Sequence, residues 1–239
     1  MRLRKKANLS QRLAACGGRW VQQPGQLRGH WRSLMPDARE IHLEIGCGKG
    51  RFTVEMALRH PDWLWIGVER SAGAMVTAAE KARDLGLENL FFLDLDAGWL
   101  GQYFAPGEVQ RIYLNFSDPW PSSRQAYRRL SHPDFLMRYR GILSPGGAIE
   151  MKTDNAGLFE WSLFQFPKAG FRLEEVCRDL HRDGPAGVMT DYEEKFYRQG
   201  KPICRCTAVM EALPAEMAGW KDPLAQFHNP RLLDGRKPL

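Results

Sequence analysis

Apolar positions along this chain change their period near residue 40. Before that point Gly17-Gly18, Pro24-Gly25, Gly29 and Pro36 interrupt the chain and no period is sustained. Residues 1–39 therefore read as an arm with little regular structure. From residue 40 the pattern is regular: 41–45 alternates like a strand and runs straight into glycines. Residues 51–59 read as a helix that His60-Pro61 stops. Trp63–Val68 is almost wholly apolar, as a strand covered on both faces must be. Residues 72–85, rich in alanine, predict a helix with Gly86 just past its end.

The alternation continues to residue 210. Strands are predicted over 89–95, 111–116 and 148–152, with helices over 99–104, 133–143 and 156–169. Two closing strands, 171–180 and 203–210, are separated by a long connection rather than a tidy strand–helix–strand unit. Such alternation predicts an α/β fold, a doubly wound sheet of seven strands, mostly parallel, with one late strand inserted antiparallel. The main domain then spans 40–212, with the arm over 1–39 and a proline-punctuated extension over 213–239.

Composition narrows the class. A chain of 239 residues, 44% of them hydrophobic, suits one large domain with an extension. No apolar run approaches the roughly 18–20 residues of a membrane span. Met1-Arg2-Leu3-Arg4-Lys5-Lys6 has charge but no apolar stretch behind it, so it does not read as a secretory signal, and a cytoplasmic protein is expected. Cys16, Cys47, Cys177, Cys204 and Cys206 lack the paired spacing of a zinc site, so no metal and no disulfide framework is expected.

The net charge of +6 is unevenly placed. Residues 1–40 hold nine Lys/Arg against Asp37 and Glu40, which leaves the rest of the chain close to neutral. A second basic cluster is Arg124, Arg128, Arg129, Arg138 and Arg140, opposed only by Asp134. Two basic regions on a near-neutral body suit a polyanion such as nucleic acid, and they equally suit a solvated arm.

Ligands of an open α/β sheet sit beyond the carboxyl ends of its strands, which is where candidate chemistry is sought. After the first strand comes Glu44-Ile45-Gly46-Cys47-Gly48-Lys49-Gly50. Its glycines, Gly46 and Gly48 among them, allow a sharp turn and a close ligand approach. Their GxGxG spacing differs from the dinucleotide fingerprint, and an acid beside the loop attracts a cation rather than a pyrophosphate. That pattern suits S-adenosylmethionine. Glu69 ends the second strand, where an acid bonds ribose hydroxyls, although an acid there also suits the dipole of the following helix. Asp96 is read as closing the third strand near an adenine, with Asp94 on the same face as the competitor. The fourth strand runs into Ser117-Asp118-Pro119-Trp120-Pro121, a rigid loop that presents a carboxylate and an aromatic wall to a planar base. The plainer reading of Trp120 is a loop anchor.

The stretches Leu43-Glu44-Ile45-Gly46-Cys47-Gly48-Lys49-Gly50, Gly67-Val68-Glu69, Ser117-Asp118-Pro119-Trp120-Pro121, Arg128-Arg129-Leu130, Lys152-Thr153-Asp154 and Thr190-Asp191-Tyr192-Glu193-x-Lys195-Phe196 occur in this order. In that they resemble the bacterial tRNA (guanine-N7-)-methyltransferases, and Met1-Arg2-Leu3-Arg4 and Arg28-Gly29-His30-Trp31 are similar to that family's arm. The resemblance covers essentially residues 1–210. It implies a class I (Rossmann-like) S-adenosylmethionine-dependent fold, a methyltransferase domain over 40–212, and methyl transfer to N7 of guanosine 46 in the tRNA variable loop. It implies that Glu44, Glu69, Asp96 and Asp118 face the cofactor or the reaction centre, with Asp118 catalytic. By the same token Asp154, Thr190, Asp191, Tyr192 and Glu193 face the guanosine, and Ser122, Arg124, Arg128 and Arg129 face the RNA. The chain departs from the family where Asp-Pro-Trp-Pro is usually followed by Lys-Lys-Arg-His. Here it has Ser122-Ser123-Arg124-Gln125, so a lysine used on the substrate is Ser122 and a histidine is Gln125.

Two other readings are open to the sequence. A tRNA-binding protein of the same fold with weakened catalysis is suggested by Ser122 and Gln125. A nicotinamide-dependent oxidoreductase is opposed by the missing GxGxxG and by Asp118-Pro119-Trp120. The expected partner is tRNA, with no membrane, and the chain acts as a monomer or a homodimer.

Overall fold

The computed structural model describes residues 8–225; the expectations for Met1-Arg2-Leu3-Arg4 and for the end of the extension, 226–239, lie outside these. Among the described residues one sheet holds β1 (Glu40–Ile45), β2 (Trp63–Val68), β3 (Leu90–Leu93), β4 (Val109–Asn115), β5 (Leu143–Thr153), β6 (Phe171–Cys177) and β7 (Cys204–Met210). Their order is β3-β2-β1-β4-β5-β7-β6. The first five strands pair in parallel, and β7 runs antiparallel between β5 and β6. The carboxyl ends of β1 to β5 therefore meet along one edge, which is where a doubly wound sheet places its ligands.

Both faces of the sheet are covered, which explains the continuous apolar runs in β1 and β2. One face packs on α2 (Arg51–Arg59) and α3 (Ala72–Asp84). The other packs on α4 (Pro133–Arg140) and α5 (Ala156–Lys168). The alanines of α3 have a steric purpose. Gly50 precedes α2 at φ 75°, and a Cβ there would lie 2.5 Å from the Cβ of Ala78. Small residues on both sides let the helix approach the end of β1, and that approach fixes the turn leaving it.

The arm is more ordered than its broken period suggests. It forms a short helix, α1 (Leu9–Ala14), and two 3-10 turns, Pro24–Leu27 and Trp31–Leu34. Arg12 pairs with Glu80 of α3 at 2.6 Å, while Leu13 and Cys16 are buried. The backbone of residues 19–21 bonds Phe92 on the open edge of β3, which caps an edge that could otherwise template pairing. Trp31 is fully buried, stacks on Phe104 with centroids 5.0 Å apart, and donates from Nε1 to the Tyr103 carbonyl at 2.8 Å. The extension docks too: Trp220 donates to Asp134, and Arg138 pairs with Asp222 at 2.9 Å. Single side-chain anchors and one short backbone bridge hold these segments, and contacts of that kind leave no periodic signal in a sequence.

Further differences are local. The segment expected as a helix at 99–104 is a 3-10 turn, Ala97–Gln102, and β6 stops at Cys177 rather than 180. An unforeseen helix, α6 (Asp191–Arg198), follows the long connection, and a 3-10 turn, Ser123–Arg128, follows the Asp118-Pro119-Trp120 loop.

His42, in the middle of β1, is fully buried. Its Nε2 lies 2.6 Å from Glu40 and its Nδ1 3.1 Å from the Tyr113 hydroxyl. A neutral ring satisfies both, donating at Nε2 and accepting at Nδ1. Burial pushes its pKa down from 6.5 to about 4, against the opposing pull of Glu40. The unfolded ring thus binds its proton at higher pH than the folded one. This contribution to stability is complete above the unfolded value and is lost as pH falls through the folded one. The loss should reach about 3 kcal/mol near pH 4. Urea unfolding across this window should show a markedly smaller slope for His42→Gln; equal slopes would refute the assignment.

Candidate active site

Leaving β1, the chain turns through Gly46, Gly48 and Gly50 at φ 82°, 57° and 75°, a region that side chains other than glycine rarely adopt. A Cβ added at Gly46 or Gly48 would meet nothing within 4 Å, so the loop borders open space at the sheet edge. The backbone N–H groups of Gly46 and Cys47 both donate to the Val68 carbonyl, tying the turn to the end of β2. Glu69 then accepts from Gly48 at 3.0 Å and from Ser71 at 2.7 Å. A carboxylate has about four acceptor sites, so Glu69 holds the loop and keeps capacity for a ligand hydroxyl.

Glu44 lies beneath the loop rather than on it, at 2% exposure. Its carboxylate accepts from Thr53 Oγ1 and, at 3.0 Å, from Asn115 Nδ2. Burial pushes its pKa up, and those hydrogen bonds with the charge of Lys152 oppose the rise. Asp96 does not close β3, which ends at Leu93. It caps the following turn by accepting from Gly98 at 2.9 Å, and Arg70 lies 3.7 Å from its other oxygen. Glycines and acids of the first three strand ends are thereby gathered along one edge.

Beside them a cavity of about 290 Å³ is lined by Phe116, Ser117, Asp118, Pro119, Thr153, Asp154, Asn155, Tyr192 and Phe196. The ends of β4 and β5 bring in the two aspartates, and α6 brings in the aromatic wall. Tyr192 and Phe196 are one helical turn apart, with Phe116 6.1 Å from Phe196. Of the residues selected from the sequence, Asp118, Asp154 and Tyr192 meet here. Phe116, Asn155 and Phe196 were not selected. Phe196 stood in the stretch that carries the family resemblance, whereas the φ of 52° at Phe116 leaves no mark in a sequence.

The other selected residues lie around this cavity. Arg129 reaches back to the loop, donating to the carbonyls of Pro119 and Trp120 at 3.0 Å, and its guanidinium stacks 4.5 Å from the Trp161 ring. Ser122, Arg124 and Arg128 are exposed on the outer turn. Thr190 and Glu193 form a capping box at the start of α6. Glu193 is fully buried between Lys152, at 3.3 Å, and His181, at 2.9 Å. Its carboxylate is spent on the protein, so Glu193 supports the cavity wall from behind. Asp191 is exposed, with Arg51 3.4 Å away.

Comparison with known proteins agrees with this geometry. A family model described as "Putative methyltransferase" matches residues 38–206. The tRNA (guanine-N(7)-)-methyltransferase of Geobacillus kaustophilus is 46% identical over 87% of this chain and 97% of its own length. That of Bacillus subtilis is 43% identical over 86% of this chain and 97% of its own. Among solved structures, the 16S rRNA methyltransferase KamB shares the fold at a TM-score of 0.60 and 16% identity, covering 77% of this chain and 94% of its own. A variant of the 16S rRNA (adenine(1408)-N(1))-methyltransferase from Catenulisporales acidiphilia, with cosubstrate SAM, has a TM-score of 0.57 and 15% identity over 78% of this chain and 92% of its own. Sheet order, glycine turn and flanking acids thus define a class I methyltransferase fold. The chain belongs to the tRNA (guanine-N(7)-)-methyltransferase family.

Lys152→Met removes the lysine facing Glu193 and strands a buried carboxylate. It should cost about 3–5 kcal/mol of stability. Lys152→Met with Glu193→Gln should recover part of this, because an amide needs no counter-charge. Urea titration of the parent and both variants measures it, and a single variant as stable as the parent would remove Lys152 from that role.

Proposed function

We propose that this protein transfers the methyl group of S-adenosylmethionine to N7 of guanosine 46 in the variable loop of tRNA, with Asp118 as the catalytic residue. The observation that carries the reading is the convergence of Asp118, Asp154 and an aromatic wall in one cavity beside the glycine turn. The donor fits the residues present: Gly46 and Gly48 leave open space, and Glu69 keeps acceptor capacity beside them. Asp96 is assigned to the adenine end, and Glu44 acts from beneath as the buried support of the turn. When bound, the donor supplies a methyl group activated by its sulfonium charge.

Guanine N7 carries an in-plane lone pair and no proton, so no general base is required. The chain's own task is alignment and electrostatics. Phe116, Tyr192 and Phe196 offer flat apolar surface against which a planar base can lie. Methylation leaves the purine ring cationic, and the carboxylates of Asp118 and Asp154 face the space where that charge develops. Thr190 and Glu193 act by fixing α6, while Asp191, Ser122, Arg124, Arg128 and Arg129 border the path of the RNA. Among the described residues no helix is long and apolar enough to cross a membrane. We place the enzyme in the cytoplasm with its tRNA, as a monomer or a homodimer.

Ser122 and Gln125 favour one second reading, a tRNA-binding protein of weakened catalysis. Mass-spectrometric mapping of 7-methylguanosine in treated, unmodified tRNA separates the two: the mark should appear at position 46, and retained binding with no transfer would favour the second. Asp118→Ala should lose about 100-fold or more in turnover, the scale of one well-placed electrostatic group. Its affinity for S-adenosylmethionine should fall far less. Parent-level transfer by the variant would remove Asp118 from the catalytic role.

A further inference from the structure

The outer turn beside the cavity carries a feature that methyl transfer alone does not require. Trp120 has a φ of 40°, in the left-handed region, and it precedes Pro121. A bulky residue before proline resists that conformation, so something must hold it. Arg129 does so through the carbonyls of Pro119 and Trp120. A tryptophan that served only to anchor the loop would be buried, yet Trp120 is left partly exposed at the surface.

The strained loop displays a ladder. The guanidinium of Arg128 lies 4.8 Å from the centroid of the Trp120 ring and 5.6 Å from that of Tyr127, and its Nε donates to the Tyr127 hydroxyl at 3.2 Å. Tyr127 forms the outer rung at 56% exposure. Among the described residues neither Arg124 nor Arg128 forms an ion pair, so their charge is uncompensated. Aromatic rings interleaved with unpaired arginines match a single-stranded nucleic acid, whose bases stack on rings while its phosphates meet the cations. The ladder begins one residue from Pro119, which lines the cavity, so its span suits a neighbour of the base held inside.

We propose that Tyr127, backed by Arg128 and Trp120, is a stacking platform for an unpaired base flanking the target guanosine. This rests on the reading that the cavity takes a tRNA guanosine. Arg128 then acts mainly as the cation between two rings. Tyr127 supplies contact where Ser122 and Gln125 supply no charge. Arg129 is a positioning residue that holds the loop in its strained state.

The test uses the full-length protein and unmodified tRNA. Methyl transfer and tRNA binding by fluorescence anisotropy are read in parallel. Tyr127→Ala should raise the KM and Kd for tRNA about tenfold, the scale of one base–aromatic stack, with kcat and donor affinity near the parent values. Tyr127→Phe, which keeps the ring, should behave as the parent. A tRNA with an abasic nucleotide at the flanking position should weaken the parent by a similar factor and the Tyr127→Ala variant no further. Parent-like binding by Tyr127→Ala, or two penalties that simply multiply, would overturn the platform. A parent that transfers no methyl to tRNA guanine would overturn the functional reading instead, while anisotropy still decides the platform.

Discussion

The buried ion pair between Lys152 and Glu193 is the contact on which the geometry of the cavity depends. Lys152 sits at the end of β5, immediately before Thr153 and Asp154, which line the cavity. Glu193 sits in the first turn of α6, between Asp191 and the cavity-facing Tyr192 on one side and Phe196 on the other. Joining the two fixes the distance between an acidic wall and an aromatic wall. A buried pair of this kind contributes little net stability over an apolar pair, because desolvation offsets the attraction. What it adds here is placement: α6 cannot slide along β5 without separating two charges in a poorly solvated interior. Lys152 also donates to the Val188 carbonyl at 2.9 Å, so the connection leading into α6 is pinned by the same group.

The glycine turn follows a different logic, in which the backbone does most of the holding. Gly48 and Ser71 each donate an N–H to Glu69, and Gly46 and Cys47 share one carbonyl of β2. The turn is rigid because its donors are committed to the neighbouring strand, and it stays open because glycines leave no side chain above it. Glu44 is consistent with this division. With Thr53 and Asn115 bonded to it and Lys152 lowering its charge cost, it ties β1, α2 and β4 together under the turn. One lysine thus stands between two buried carboxylates that organise the two halves of the site.

What could be read from the sequence followed from periodicity and strand ends. The seven strands, the antiparallel insertion and the edge that gathers the acids were legible, because a sheet covered on both faces writes apolar runs and glycine turns into the chain. Family resemblance supplied Asp154 and Tyr192, which spacing alone would not have chosen. The helix α6 was not legible as a helix: it is eight residues long and strongly polar, and only its capping box marks its start. The roles of Glu193 and Arg129 were hidden for a related reason. Glu and Arg read as solvent-facing residues, and only tertiary structure shows a carboxylate enclosed by Lys152 and His181 or a guanidinium turned back onto Trp120. Order in the arm was missed because it comes from single anchors such as Trp31 and Arg12, not from repetition.

That distribution bears on how the chain meets a polyanion despite Ser122 and Gln125. Basic residues near the cavity divide by what they already hold. Arg129 is committed to two carbonyls and an indole, and Arg138 to Asp222, so neither brings free charge to the surface. Arg124 and Arg128 are exposed and form no ion pair among the described residues, and Arg128 lies close to two rings. A cation held this way is pre-organised: it loses little side-chain freedom on meeting a phosphate or a base. Fewer charges in fixed positions can therefore replace a longer run of mobile ones near the reacting atom, where alignment governs rate.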